Sequence, residues 1–119
     1  MKLYFIACPY SDADPEVVIR RFNECTEAAA ALSLAGHAVY SQITMTHPIN
    51  EAVARAGKKI VWSPIDEAYM ARCDEIIVLT LPGWEKSGGV AAEIDYFKSR
   101  GKKVWTYEEF TKAHGVPSL

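Results

Sequence analysis

Apolar and polar positions change period several times along this chain, and each change marks an element. The run "KLYFIA" is apolar without alternation and stops at the turn "CPYSDAD", the pattern of a strand buried on both faces. Asp14 then stands where an N-cap belongs and Pro15 at the first helical position. Val18, Phe22, Cys25, Ala29 and Leu32 recur at steps of four and three, which predicts a long amphipathic helix. Gly36 ends it. "HAVYSQ" reads as a second strand, and "ITMTHPINEAVARAGKKIVW" as a long connection holding a short helix from about Asn50 to Arg55. Ser63 and Pro64 open a further helix that runs to about Arg72. "EIIVLTL" is a continuous aliphatic strand, "PGWEK" a turn, and Ser87 to Arg100 a helix stopped by Gly101. "KKVWTY" reads as a fourth strand and "EEFTKAHG" as a last short helix.

Strands that alternate with helices imply right-handed crossovers and a parallel sheet covered on both faces. Ligands in such sheets bind beyond the carboxyl ends of the strands. That places "CPYSDAD", "SQITMTHP", "LPGWEKSGG" and the turn near Tyr107 at the ligand end. A length of 119 residues, half of them hydrophobic, suits a single domain over residues 1–119.

Charge narrows the partners. Thirteen basic residues against fifteen acidic ones leave a net charge of -2, and no basic run exceeds a pair such as Arg20-Arg21. A nucleic-acid polymer would require a basic face, so none is expected as a partner. No apolar run reaches membrane-spanning length, and the amino-terminal run reads as a first strand rather than a leader. Cys8, Cys25 and Cys73 are odd in number and widely spaced, which fits reduced thiols in a cytoplasm and forms no zinc pattern. Neither a GxGxxG nor a GxxxxGK[ST] stretch occurs, and no GxSxG elbow. No cofactor or metal is expected, and the chemistry left is that of carboxylates.

Two carboxylates stand out. In "SGGVAAE", Ser87 is a good N-cap, and Gly88 and Gly89 leave first-turn amides open to a ligand oxygen. At about 100° per residue, Val90, Ile94 and Phe97 form an apolar stripe with Glu93 at its edge. A half-buried carboxylate at the ligand end of a sheet is a candidate nucleophile, although a surface glutamate pairing with Lys86 or Arg100 explains the same position. Asp66, three residues after Ser63, either completes a capping box or serves as a second acid beside Met70 and Cys73. Tyr4 points either into the core or toward a carboxylate. Pro9 and Tyr10 on the first loop and Trp84 on the third line the ligand end, where the two aromatic rings can stack on a flat base. His47 can donate to a ligand or satisfy local backbone.

Taken together, "LYFIACPY", the spacing of Asp66 and Asp74 before "EIIVL", and the Ser-Gly-x-x-x-x-Glu pattern of "SGGVAAE" resemble the nucleoside 2-deoxyribosyltransferase superfamily, which includes 2'-deoxynucleoside 5'-monophosphate N-hydrolases. The likeness covers about residues 2 to 106 in element order and is nearest to small bacterial and phage members of uncharacterised function. It implies a flavodoxin-like three-layer α/β sandwich with a parallel sheet of four to five strands. It implies that Glu93 attacks the anomeric carbon, that Tyr4 orients it, that Asp66 assists the departing base and that Ser87 touches the sugar 5' group. It also implies a homo-oligomer, a dimer or tetramer, in which neighbouring subunits help close the site. One departure is plain: the hydrolase branch holds a 5'-phosphate with a glycine- and arginine-rich first loop, whereas "CPYSDADPE" is acidic and precedes the first arginine, Arg20.

The expected function is cleavage or transfer of the N-glycosidic bond of a 2'-deoxynucleoside or 2'-deoxynucleotide through a glutamyl glycosyl-enzyme. The small molecules expected at the site are therefore nucleosides or nucleotides. A non-catalytic nucleotide-binding or regulatory module of the same fold, or a structural interaction protein, would use the same residues differently.

Overall fold

The computed structural model describes residues 1–119. Its elements follow the chain as β1 (Leu3–Ala7), α1 (Pro15–Leu34), β2 (Ala38–Ser41), α2 (Gln42–Arg55), α3 (Ser63–Arg72), β3 (Glu75–Val78), α4 (Gly88–Ser99), β4 (Val104–Thr106) and α5 (Tyr107–His114). The four strands form one parallel sheet in the order β2-β1-β3-β4. This is the flavodoxin-like order, whose switch point lies between β1 and β3. The α/β three-layer architecture expected from the alternating pattern is the one observed.

Burial follows the side-chain period of the strands. Phe5, Ile6 and Ala7 of β1 and Ile76 and Ile77 of β3 are fully buried, as central parallel strands require. Tyr4, Ile6, Cys8 and Ile77 face Cys25, Ala28 and Leu32 of α1 and Phe110 of α5. Phe5, Ala7, Ile76 and Val78 face Met70 of α3 and Val90 and Phe97 of α4. Alternate residues thus feed two cores, one on each side of the sheet. No helix is long and apolar enough to cross a membrane.

Helix α1 starts where the cap and proline predict, with Asp14 Oδ1 accepting from the Glu16 amide at 2.9 Å. The connection after β2 differs from the expectation. Helix α2 begins at Gln42, eight residues before Asn50, and carries Pro48 inside it. Pro48 lacks an amide proton and restricts the residue before it, so it reads locally as a breaker. Tertiary contacts outweigh that preference. Gln42, Ile43, Thr46 and His47 are buried, and the Thr44 hydroxyl lies 2.6 Å from Ser41 Oγ and 2.8 Å from Thr26 Oγ1 of α1. These bonds dock the first turn of α2 against α1 at the carboxyl end of the sheet.

Candidate functional site

The loops leaving β1 and β3 part at the switch point and open a cavity of about 570 Å³. Its walls include Pro9, Tyr10, Asp66, Ser87, Gly88, Gly89 and Glu93, seven residues singled out from the sequence. The remaining wall comes from α2 and from residues that pattern reading passed over.

Each side chain owes its place to local structure. Ser87 caps α4, its Oγ accepting the Val90 amide at 3.2 Å, which leaves the hydroxyl proton free for a ligand. Nothing lies within 4 Å of a Cβ built on Gly88, so the first turn stays open to close approach. Val90, Glu93 and Phe97 are the buried residues of α4. Glu93 therefore belongs to the buried face itself and is only 8 % exposed. Pairing with Lys86 or Arg100 does not occur. Asp66 reaches the cavity from the first turn of α3, whose N-cap position makes no side-chain bond. Its Oδ1 is buried without a hydrogen-bond partner, a costly arrangement for an atom with only a structural role.

Burial perturbs both acids, and Asp66 adds to the effect on Glu93. Burial, and secondarily the neighbouring Asp66, push the Glu93 carboxyl up to about 8, against the opposing pull of the Gln42 amide. Burial also raises Asp66, again opposed by Gln42. Two close carboxyls in a poorly solvated wall do not both ionise readily, so the pair retains one proton at neutral pH. That proton belongs to the pair as a unit.

Three expected site residues sit elsewhere. Tyr4 projects from the amino end of β1 into the core on the α1–α5 side, its ring centroid 4.9 Å from that of Phe110. Helix α4 covers the opposite face, so Tyr4 does not orient Glu93. Trp84, in a short 3-10 turn (Trp84–Lys86), packs against the core beneath α4 instead of lining the cavity. His47 lies on α2 rather than in a loop and does not reach the cavity, because both ring nitrogens are engaged by Tyr10 and Glu51.

The residues missed are informative. Arg21 of α1 donates from Nη1 to the carbonyl of Ser11 at 3.0 Å and from Nη2 to that of Pro82 at 3.1 Å. It ties the first loop to the loop after β3 and supplies the cavity with the guanidinium that the first loop lacks. Its only sequence signal was a basic pair on a helix. Trp62 stands in the wall where Trp84 was expected, its Nε1 donating to Asn50 Oδ1 at 2.7 Å. Gln42 faces both acids but resembles any strand-end polar residue in sequence. No three His, Cys, Asp or Glu side chains converge as a metal-holding group.

A family described as "Domain of unknown function (DUF1937)" matches residues 2–109. No curated protein matches the chain.

Proposed function

We propose, from the premise that the chain belongs to the DUF1937 family and that this description assigns no chemistry, that the cavity cleaves or transfers the N-glycosidic bond of a 2'-deoxynucleoside or 2'-deoxynucleotide. One observation carries the reading: Glu93, 8 % exposed, shares a single cavity at the sheet's switch point with Asp66. The resemblance to nucleoside 2-deoxyribosyltransferases supports the same chemistry.

The reactive state is the pair with one proton. The proton that burial holds on Glu93 passes to Asp66 as substrate binds; Glu93, then ionised, attacks C1' as the bond to the base breaks, and Asp66 gives the proton to the departing base nitrogen. The product is a deoxyribosyl ester of Glu93 with retention after the second displacement. Water or another base then attacks C1' and releases the carboxylate. A sugar without a 2'-hydroxyl reaches the oxocarbenium-like transition state more easily, which favours deoxy substrates. Tyr10 and Trp62 offer flat surfaces for the base, and Ser87 with the amides behind Gly88 and Gly89 offers donors to the 5' side.

The reading includes a cytoplasmic homo-oligomer. Free buried Cys8, Cys25 and Cys73 support the compartment. Val61, Ile65 and Tyr69 support self-association, being large apolar side chains 75 %, 37 % and 39 % exposed on and just before α3. Light scattering on purified protein decides it: a monomer at micromolar concentration removes this part.

Incubation with a panel of deoxynucleosides and deoxynucleotides tests the main claim. Free base should appear, and Glu93→Ala should abolish it while the protein stays folded. Thermal stabilisation by a nucleotide with no base released would instead identify a binding module. Exchange with an added second base marks a transferase, and free sugar marks a hydrolase.

A further inference from the structure

The wall facing α2 holds a hydrogen-bonded chain that the carboxylate pair does not use. Tyr10, in the cavity wall, places its hydroxyl 2.5 Å from Nδ1 of His47. The other ring nitrogen of His47, Nε2, lies 2.6 Å from Oε1 of Glu51 one helical turn on. The side chain of His47 is 11 % exposed and that of Glu51 is 55 % exposed. Phe22 of α1 lies against the imidazole with ring centroids 4.4 Å apart. The chain thus runs from the cavity, through a buried imidazole held in place, to solvent.

Its direction follows from the donors. Glu51 accepts from Nε2–H, so in the neutral ring Nδ1 keeps its lone pair and accepts the Tyr10 O–H. The Tyr10 oxygen, which the Asn50 side chain also faces from the cavity wall, then has one lone pair left for a further donor in the cavity. A carboxylate behind an imidazole behind a hydroxyl is the arrangement that lets a hydroxyl exchange protons without carrying full charge.

We infer that Tyr10, backed by His47 and Glu51, is the general base for the second displacement, taking the proton of the water or hydroxyl acceptor that attacks the glycosyl-enzyme. The inference rests on the glycosidase reading above. As the C1'–O bond to water forms, the C1'–Oε bond to Glu93 breaks and its electron pair returns to the carboxylate. The water proton passes to the Tyr10 oxygen while the Tyr10 proton passes to His47 Nδ1. His47 becomes an imidazolium paired with Glu51, and once the product leaves it returns the Nδ1 proton through the Tyr10 hydroxyl to solvent entering the cavity, which restores the Nε2-protonated ring. Asp66, which lost its proton to the base, regains one from solvent, so the cycle closes. Tyr10 is the catalytic residue here; His47 and Glu51 are positioning residues.

The test compares wild type with Tyr10→Phe, His47→Gln and Glu51→Gln on a substrate that wild type cleaves, with folding checked by thermal melting. The first burst of base release should keep its rate, while steady-state turnover falls about a hundredfold for Tyr10→Phe and His47→Gln and about tenfold for Glu51→Gln. Azide, a nucleophile with no proton to lose, should restore turnover in all three. Equal loss in burst and steady state, no loss, or no azide rescue overturns the relay. Nitrogen chemical shifts of His47, which need no substrate, separate this from the parent claim. They should show the proton on Nε2 at neutral pH and should move in Tyr10→Phe. If wild type releases no base from any substrate, the glycosidase reading fails, and an Nδ1-protonated ring would remove the relay as well.

Discussion

Glu93 is the residue whose environment and chemistry are most tightly linked. Its folded-state carboxyl is raised from an ordinary 4.5 to about 8, chiefly by burial. Between those two values the folded protein holds a proton that the unfolded chain has lost, so this group's contribution to stability falls as pH rises through the window. The cost at pH 9 is on the order of a few kcal/mol. Glu93→Gln keeps the neutral shape and should melt near wild type at pH 5 but well above it at pH 9. Equal melting at both pH values would mean that the carboxyl is not held in its buried place. The same proton governs rate. If the singly protonated pair is the reactive state, kcat/KM for base release should pass through a maximum and decline above about 8, as the pair loses its last proton. A rate still climbing at pH 9.5, roughly one and a half units beyond that apparent value, would show that the proton on the pair is not needed.

At the scale of elements, regular segments were legible and the exception has a physical cause. The cap Asp14, Pro15 and the four-three spacing of α1 placed that helix correctly, and the unbroken aliphatic run placed β3. Helix α2 escaped because its buried face is Gln42, Ile43, Thr46 and His47, largely polar, and because Pro48 argues locally against a helix. Its identity is decided by bonds to α1 and by the cavity, which a hydrophobic period cannot report. Trp84 was misplaced, and Tyr4 stayed open between core and site, for the related reason that residue type does not tell which sheet face or layer an aromatic ring will join. Glu93 was legible because Ser87 fixes the start of α4 and the helical period then fixes the face. Since Pro48 is exposed and only withholds a backbone bond, Pro48→Ala should raise stability by about 1 kcal/mol, read as a shift in denaturant midpoint. A lower midpoint would show that the ring itself shapes the turn. Gly83 is the opposite case. It has φ +90°, and an added Cβ would lie 3.0 Å from Nη2 of Arg21, so Gly83→Ala should cost roughly 1–3 kcal/mol and loosen the tie between the two loops. An unchanged midpoint would show that the loop after β3 has room to shift.

For the molecule as a whole, the parallel sheet and its strand order create the opening between β1 and β3, and loops and helix starts from four elements furnish it. Arg21 closes the rim by bonding carbonyls from both loops, so the cavity is a property of the assembled fold rather than of any motif. The two acids reach it from α3 and α4 on one side of the sheet, and Tyr10 reaches it from the first loop. This separation allows different groups to serve the two displacements. The most direct check on the central claim is to quench a reacting sample within its first turnovers and map the added mass by peptide sequencing. One deoxyribosyl unit on the peptide containing Glu93, formed at the rate of base release, is the expected result; base released with no adduct and with an inverted sugar would contradict it.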